Sequence, residues 1–307
     1  MTRRHAWING GMLAESALLH AVFSTMTLHG FQQQALPWMV AGVVLQGVWL
    51  QRAYCVGHEA SHKKLFADRP WLNDLIGQLF LFLILVPLPV FRAIHRFHHG
   101  ANRRDPHTSA LEVYVVTPGD GRMKRLQPWV LWYLAVFAGG WFFHGLVSVL
   151  LFLFCPPHVA RRISPAFSGW TWRRQGLSIL LFGLPILGHV ALAMWGGAML
   201  WWLLLGAPVT VFAWVYSVQL YVYHYKTTIG PQTPFHARRL DGGRLVSWWL
   251  LNLNEHDTHH QQTKVVWYAL PEHARPLPAA YAANQNVHRF RDGLLQQLGG
   301  PRILEKE

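Results

Sequence analysis

The sequence HRFHH at His95–His99 places three imidazole side chains within five residues. On an α-helix, positions i, i+3 and i+4 lie on one face, so these three rings can converge on one point. The same spacing returns as HDTHH at His256–His260, and HEASH at His58–His62 has two histidines at i and i+4. Eight histidines in three clusters, all near the ends of apolar stretches, indicate metal ligation.

The number of ligands predicts more than one metal ion. Eight imidazoles exceed the four ligands that one zinc ion normally takes, which favours two ions. Imidazole suits iron, zinc, copper and nickel. The cysteines, Cys55 and Cys155, lie outside the clusters, in or beside apolar stretches, so we expect neither a soft copper site, an iron–sulfur cluster nor a disulfide scaffold.

Composition indicates a membrane protein. The 307 residues are 52% hydrophobic and 13% charged, which is about half of the charged share of a typical globular protein. The 16 tryptophans are typical of aromatic belts at membrane interfaces. The net charge of +13 comes from short basic pairs between apolar stretches, a pattern more typical of membrane topology than of nucleic-acid binding.

Four apolar stretches predict membrane helices: Met12–Leu28, Leu36–Tyr54, Ser178–Trp195 and Met199–Tyr223. The links at His29–Ala35 and Gly196–Gly197 carry no Lys or Arg, whereas the other loops carry basic pairs, which the positive-inside rule assigns to the cytoplasm. Basic loops flank both Leu75–Phe91 and Trp129–Cys155. Each of these segments should therefore lie in the membrane interface, or enter the membrane and return to the same side. The basic pairs are Arg3/Arg4, Lys63/Lys64, Arg103/Arg104, Lys124/Arg125, Arg161/Arg162, Arg173/Arg174 and Arg238/Arg239.

The fold class expected is therefore all-α. We expect a polytopic membrane protein with four transmembrane helices in two hairpins, interfacial helices and a cytoplasmic cap that carries the histidines. Residues 1–307 should form one membrane-embedded domain, with its core at about 36–271. Residues 272–307 are polar enough for a cytoplasmic tail, with a helix near Asn284–Leu298.

These clusters, in this order and membrane setting, resemble the membrane fatty acid desaturase superfamily, whose pattern is HxxxH, HxxHH and HxxHH. The flanking sequences are similar as well: GHEASHKKLF at Gly57–Phe66, WWLLNLN at Trp248–Asn254 and WYALP at Trp267–Pro271. The resemblance covers roughly Leu36 to Pro271.

The resemblance also implies the site residues. The family places a further histidine at the end of the last membrane helix, and His224 matches that place. The implied metal ligands are His58, His62, His95, His98, His99, His224, His256, His259 and His260. Carboxylates beside ligating histidines often accept the second N–H of the imidazole, and the candidates are Glu59, Asp105, Glu255 and Asp257. The isolated histidines are interpreted as structural: His107, His144, His158, His189 and His236.

By the same resemblance, two iron ions (Fe2+/Fe3+) with O2 as co-substrate would oxidise an unactivated C–H bond in a lipid acyl chain, and loss of a second hydrogen would give an alkene. The expected partners are an acyl or lipid substrate, the membrane and a separate electron donor, a ferredoxin or similar carrier, which the basic cytoplasmic face would attract. No nucleic-acid partner is expected. The location implied is the inner membrane of a bacterium, with the active site on the cytoplasmic side.

Three alternatives stay open at this point. A hydroxylase or a carotenoid ketolase-like enzyme of the same superfamily would share the ligand spacing. HEASH at His58–His62 also fits the HExxH motif of a zinc intramembrane protease with Glu59 as general base, but this leaves the other two clusters unexplained. A metal transporter or sensor would place ligands along a path at mid-membrane depth, whereas these clusters lie at the ends of apolar stretches.

The charge pattern predicts the sidedness of the loop that contains Ser164. We expect a cysteine at Ser164, in a variant without Cys55 and Cys155, to react with a membrane-impermeant maleimide only when the reagent reaches the cytoplasmic side, because Arg161/Arg162 retain that loop in the cytoplasm. Labelling from outside the cell would contradict the two-hairpin topology.

Overall fold

A computed structural model describes residues 3–101, 103–104, 112–231, 236–276 and 279–305. The described chain is mostly helical and divides into two compact units: unit 1 is Met1–Ile94 with His144–Val215, and unit 2 is His95–Phe143 with Tyr216–Glu307. In chain order the elements are α1 Arg3–Gln32, α2 Leu36–Ser61, α3 Pro70–Phe82, α4 Leu88–Ala101, β1 Val113–Val116, α5 Arg122–Phe137, α6 Gly140–Phe154, α7 Pro157–Ile163, α8 Trp172–Trp201, a π-helical turn Trp202–Gly206, α9 Ala207–Leu220, α10 Gly243–Trp249, α11 His256–Gln261, α12 Ala279–Ala282, α13 Phe290–Gln296 and β2 Arg302–Glu305. Short 3-10 turns lie at Pro165–Phe167, Trp267–Ala269, Pro271–His273 and Gln297–Gly299.

In unit 1, α1 packs closely along α2. A Cβ on Gly42 would come within 2.3 Å of Thr27 Oγ1, so the two helices can approach there only because the residue is glycine. Arg52 of α2 lies 2.5 Å from the Glu15 carboxylate of α1. Near the start of α1, Asn9 Nδ2 donates to the carbonyl of Leu65 at 2.8 Å. These contacts fix α1 to α2 and to the segment that follows the first histidine cluster.

Two helices in the described ranges are long and apolar enough to cross a membrane, Leu36–Ser61 and the continuous run Trp172–Leu220. The number becomes three if Arg122–Phe137 and Gly140–Phe154, which are separated by a bend, form one span. That bend interrupts the predicted apolar stretch Trp129–Cys155. The composition and the helices agree with a mostly helical, membrane-associated protein, and the four-span arrangement stays a prediction.

The run Trp172–Leu220 is not one straight helix. Its 49 residues would measure about 73 Å as a straight α-helix, more than twice the roughly 30 Å of a bilayer core. Gly197 interrupts it with φ 77° and ψ 167°. Trp201 Nε1 donates to His189 Nδ1 at 3.2 Å across 12 residues, a span of about 18 Å along a straight helix. The chain therefore turns back at Gly196–Gly197, where the sequence predicts a hairpin.

Unit 2 is built around an aromatic cluster and a short parallel strand pair. The cluster consists of Trp132, Val136, Trp141, Tyr221 and Tyr225. Strands β1 and β2 pair in parallel from Val113 opposite Arg302 to Val116 opposite Glu305, a feature that the all-α expectation did not include.

The segment after Pro271 contains α13 within the predicted helical region, and it is bonded into unit 2. Trp132 Nε1 donates to the carbonyl of Gln297 at 2.9 Å, and the Tyr225 hydroxyl donates to the carbonyl of Gly300 at 2.5 Å. Two aromatic side chains of the unit 2 core therefore hold the 3-10 turn after α13 and Gly300, the residue that follows this turn.

We expect Gly197→Val to lower the unfolding temperature of the purified protein, because a β-branched residue at this φ and ψ costs about 1–3 kcal/mol. Gly176→Val is the matched control: Gly176 lies in α8, no atom lies within 4 Å of its added Cβ, and valine is a better helix former than glycine. Thermal unfolding in detergent, followed by tryptophan fluorescence, measures both. Equal losses in the two variants would contradict the turn at Gly197.

Candidate metal centre

Helix α4 presents the HRFHH histidines from its last turns. Pro89 lies in the first turn of α4, where its missing N–H has no helical partner to lose. The i, i+4 spacing places His95 and His99 on one face of the helix. Their Nε2 atoms are 3.0 Å apart, and their ring centroids are 4.5 Å apart. His98 stacks on His95 at a centroid distance of 5.8 Å.

Helix α11 presents the HDTHH histidines as a single buried element of unit 2. His259 Nε2 lies 3.1 Å from His99 Nε2. One ligand atom from each of His95, His99 and His259 lies within 4.8 Å of the others. We refer to these three residues as group A.

A second group consists of His98, His224, His256 and His260, whose ligand atoms all lie within 4.8 Å of one another; we refer to it as group B. His256 Nε2 is 3.1 Å from His224 Nε2 and 3.2 Å from His260 Nε2. The His98 ring lies 4.7 Å from that of His224 and 4.8 Å from that of His260. Unit 2 thus brings together seven of the nine predicted ligands, from α4, α11 and the turn that follows α9.

The tautomer of His224 is fixed by the backbone. His224 Nδ1 lies 2.6 Å from the carbonyl oxygen of His236, and because a carbonyl can only accept, Nδ1 must carry the proton. In the neutral ring Nε2 then carries a lone pair and no proton, and this is the atom that faces His256. Thr227 Oγ1 lies 2.8 Å from the carbonyl of His224 and 3.1 Å from that of His236, so it ties the two segments together.

Two imidazoles of group B, those of His224 and His260, are held neutral. Burial, reinforced by the neighbouring rings of His98 and His256, holds the pKa of His224 well below its ordinary value. Burial and then the ring of His256 do the same to the pKa of His260. Neutral imidazole is the form that binds a metal ion.

The spacing within groups A and B fits a metal ion better than a hydrogen-bond network. His256 Nε2 faces two other Nε2 atoms, and the one on His224 has no proton, so one N–H cannot satisfy both contacts. First-row metals hold imidazole nitrogen at about 2.0–2.1 Å, so two ligands on one ion lie about 3.0 Å apart at right angles and about 3.4 Å apart at the tetrahedral angle. The observed 3.0–3.2 Å separations fall in this range.

The first cluster lies in unit 1, at the end of α2. His58 and His62 lie at a ring-centroid distance of 5.0 Å. Removal from water, then the proximity of His58 and Lys64, lowers the pKa of His62 to about 2. Glu59 Oε1 lies 3.4 Å from His58 Nδ1 and 3.2 Å from Lys64 Nζ. Glu59 therefore lies beside the Nδ1 of His58, a candidate ligand, and its role as an orienting group stays a prediction.

The other predicted carboxylates differ in their contacts. Asp257 Oδ2 accepts from Arg239 Nε at 2.9 Å and Nη2 at 2.6 Å, and Oδ1 accepts from the N–H of Thr258 at 2.7 Å, so Asp257 anchors α11. Glu255 precedes that helix, its carbonyl accepts from the His259 N–H at 3.0 Å, and burial raises the pKa of its carboxyl. Asp105 lies outside the described residues.

Sequence reasoning missed the part that His236 plays. Its ring bonds to Thr228 Oγ1 at 3.0 Å, as the structural interpretation of an isolated histidine predicts, but its backbone carbonyl orients His224. A carbonyl belongs to every residue type, so no residue pattern could have indicated this contact.

Two compact groups of imidazoles, in a mostly helical and strongly apolar chain, form a candidate polyhistidine metal centre. Residues 35–292 match the family model described as fatty acid desaturase. The match covers more than half of the chain, and the protein belongs to the fatty acid desaturase family.

Characterised relatives are similar over shorter stretches. The chain is 40% identical over 73 residues to the omega-6 fatty acid desaturase, endoplasmic reticulum, of Brassica juncea, covering 23% of this chain and 17% of the relative. It is 31% identical over 100 residues to the sn-1 oleoyl-lipid 12-desaturase of Anabaena variabilis, covering 32% and 25%. It is 43% identical over 56 residues to the sn-1 acyl-lipid omega-3 desaturase (ferredoxin) of a Nostoc species, covering 18% and 15%. Each match thus spans a quarter or less of the relative's length.

The geometry of group B predicts opposite results for two neighbouring histidines. His224→Ala removes a ligand and should weaken divalent-metal binding by more than the roughly 10–100-fold that loss of an outer contact causes. His236→Ala keeps the backbone carbonyl that His224 uses and should bind metal as the wild type does. Titration of metal-free protein with Co2+, followed by its visible absorption, compares them. Equal losses would contradict the assignment of the His236 carbonyl.

Proposed function

We propose that the protein is a membrane fatty acid desaturase that uses O2 and two histidine-bound iron ions to introduce a double bond into a lipid acyl chain. The observation that carries this proposal is group B, four imidazoles whose ligand nitrogens lie within 4.8 Å of one another. Family membership supports the reaction class, since the family model is that of fatty acid desaturases.

The nine histidines are the proposed ligands. Groups A and B supply three and four of them, and His58 with His62 supplies the remaining two. Iron in this donor set, supplied with O2 and electrons, provides the oxidising chemistry that a methylene C–H bond requires and that side-chain acids and bases cannot provide. The chain's own residues keep the imidazoles neutral and orient them, as the His236 carbonyl does for His224.

The reaction needs an electron donor and a substrate with a long apolar chain. Conversion of –CH2–CH2– to –CH=CH– releases two protons and two electrons from the substrate, while reduction of O2 to two waters takes four electrons and four protons. Two electrons and two protons must therefore come from elsewhere. The names of the relatives from Anabaena and Nostoc specify acyl lipids, and the second also names ferredoxin, so we propose an acyl-lipid substrate and a ferredoxin-type donor for this chain.

We further propose four membrane crossings in two hairpins, α1 with α2 and the two limbs of Trp172–Leu220, with the histidines in a cytoplasmic cap. The turn at Gly197 supports two limbs, and the charge-free links support their orientation. The membrane is that of a bacterial cell, with the active site on the inner face.

The environment of Glu59 disfavours the zinc protease alternative. A general base of the HExxH type must face the metal-bound water, whereas the Glu59 carboxylate is paired with Lys64 at 3.2 Å and lies on the Nδ1 side of His58 at 3.4 Å. This arrangement suits orientation of a ligand rather than proton abstraction from water.

We expect the purified protein to carry two iron ions per chain, and a lipid-producing host that expresses it to contain new unsaturated acyl chains. His99→Ala should lose both properties, because it removes a ligand of group A, and the exposed His144→Ala should keep them. Elemental analysis and mass spectrometry of the fatty acid methyl esters measure the two. One zinc without iron would contradict the metal assignment, and hydroxylated or keto products would contradict desaturation while preserving the diiron centre.

A further inference from the structure

A fully buried ion pair lies next to group B in unit 2. Arg103 and Glu112 each have side chains that are 0% exposed, and they meet in a two-pronged contact, Nη1 to Oε2 at 2.6 Å and Nη2 to Oε1 at 2.5 Å. Burying two charges is expensive, and replacement of such a pair by apolar residues is often neutral or stabilising. Stability alone therefore does not account for its presence.

The remaining donors of Arg103 bind the segment that carries His224. Nη2 donates to the carbonyl of Thr227 at 2.9 Å, and Nε donates to the carbonyl of Thr228 at 3.1 Å. The carbonyl of Arg103 itself accepts from the N–H of Gly230 at 2.8 Å. Thr227 is the residue whose hydroxyl contacts the carbonyls of His224 and His236, so one guanidinium holds the backbone that fixes the His224 tautomer.

Arg103 is also close in sequence to the histidines of α4. It follows His99 by four residues, just after the end of α4, and it adopts a left-handed backbone conformation with φ 61°. Such a φ is uncommon for a non-glycine residue. A glycine would relieve it, but only arginine supplies the planar fork that matches a carboxylate and two carbonyls at once.

Glu112 connects the same point to the C-terminal strand. Its Oε1 accepts from the N–H of Lys226 at 3.2 Å, and its carbonyl accepts from the N–H of Arg302 at 2.7 Å. Arg302 Nη2 in turn donates to the carbonyl of Thr227 at 3.1 Å. Three chain segments, from the end of α4, the His224 turn and β2, thus meet at this ion pair.

We propose that Arg103 and Glu112 are positioning residues for group B, and that their ion pair sets the spacing between His98 on α4 and His224. The pair touches neither substrate nor metal. It acts through the Thr227 and Thr228 carbonyls, which place the His224 ring. The proposal rests on the proposed function, since it assumes that group B binds a metal ion.

Arg103→Lys is the test, because it keeps the charge but loses the fork that reaches Glu112 and both carbonyls. Arg125→Lys is the matched control: Arg125 pairs with Glu305 of β2 at 3.6 Å, but both side chains are exposed. Metal-free full-length protein in detergent is titrated with Co2+, whose visible spectrum reports ligand geometry. We expect Arg103→Lys to weaken one of two bound equivalents by about 10–100-fold, as outer contacts of metal sites do, and to change its spectrum, while Arg125→Lys has no effect.

The same substitution in a His224→Ala background separates positioning from general stability. If Arg103 acts through His224, Arg103→Lys has no further effect on the equivalent that remains bound, and the two substitutions are strongly coupled. Unchanged Co2+ binding by Arg103→Lys, or an equal loss in both backgrounds, would overturn the proposal.

Glu112→Gln is the second variant, and it has the same expected outcome as Arg103→Lys. If neither variant can be purified folded, the pair is a folding determinant and the proposal fails. A wild-type protein that binds fewer than two equivalents would instead contradict the two-iron function. The coupling between Arg103 and His224 is then measured from the Co2+ affinity of the one equivalent that binds.

Discussion

The close approach of imidazole nitrogens, 3.1 Å between His224 and His256 and 3.2 Å between His256 and His260, is what the rest of the chain must maintain. In group B, a lone pair on His224 Nε2 faces His256 Nε2 at 3.1 Å, and burial holds the pKa of the His224 and His260 rings well below its ordinary value. Such an arrangement is unfavourable unless a cation lies among the nitrogens, so the chain must impose it. The rigidity comes from the backbone, because the His236 carbonyl fixes one ring while α4 and α11 fix the others.

The pairing of buried charges in this chain follows from this requirement. The protein has 14 acidic residues, and three buried ones lie near the histidine clusters, each paired with a base: Glu59 with Lys64, Glu112 with Arg103 and Asp257 with Arg239. In a largely apolar molecule, a buried ion pair with several further hydrogen bonds specifies one arrangement, because a shifted segment would leave a charge unpaired. Each pair therefore fixes the segment that presents a ligand.

The sequence predicted what depends on local periodicity. Helical spacing identified the histidine clusters, and paired glycines without charge identified the turn at Gly197. It could not predict contacts made by backbone carbonyls or between residues distant in sequence, such as β1 with β2. The basic pairs illustrate the difference: the charge pattern assigns Lys64, Arg103 and Arg238 to cytoplasmic loops, and it does not indicate that all three side chains are buried. The identity of a basic residue in a loop does not reveal whether its side chain faces water or a buried carboxylate.

Support for the His224 turn extends beyond the region that defines the family. The family match ends at residue 292, but the Tyr225 hydroxyl bonds to the carbonyl of Gly300 and Arg302 bonds to the carbonyl of Thr227. These contacts hold the turn together with Arg103, which bonds to the same Thr227 carbonyl. A histidine motif identifies the candidate ligands. Their positions depend on backbone segments outside the motif, such as those at Thr227 and Gly300. The residues after 292 therefore belong to the architecture of the candidate metal centre as much as α4 and α11 do.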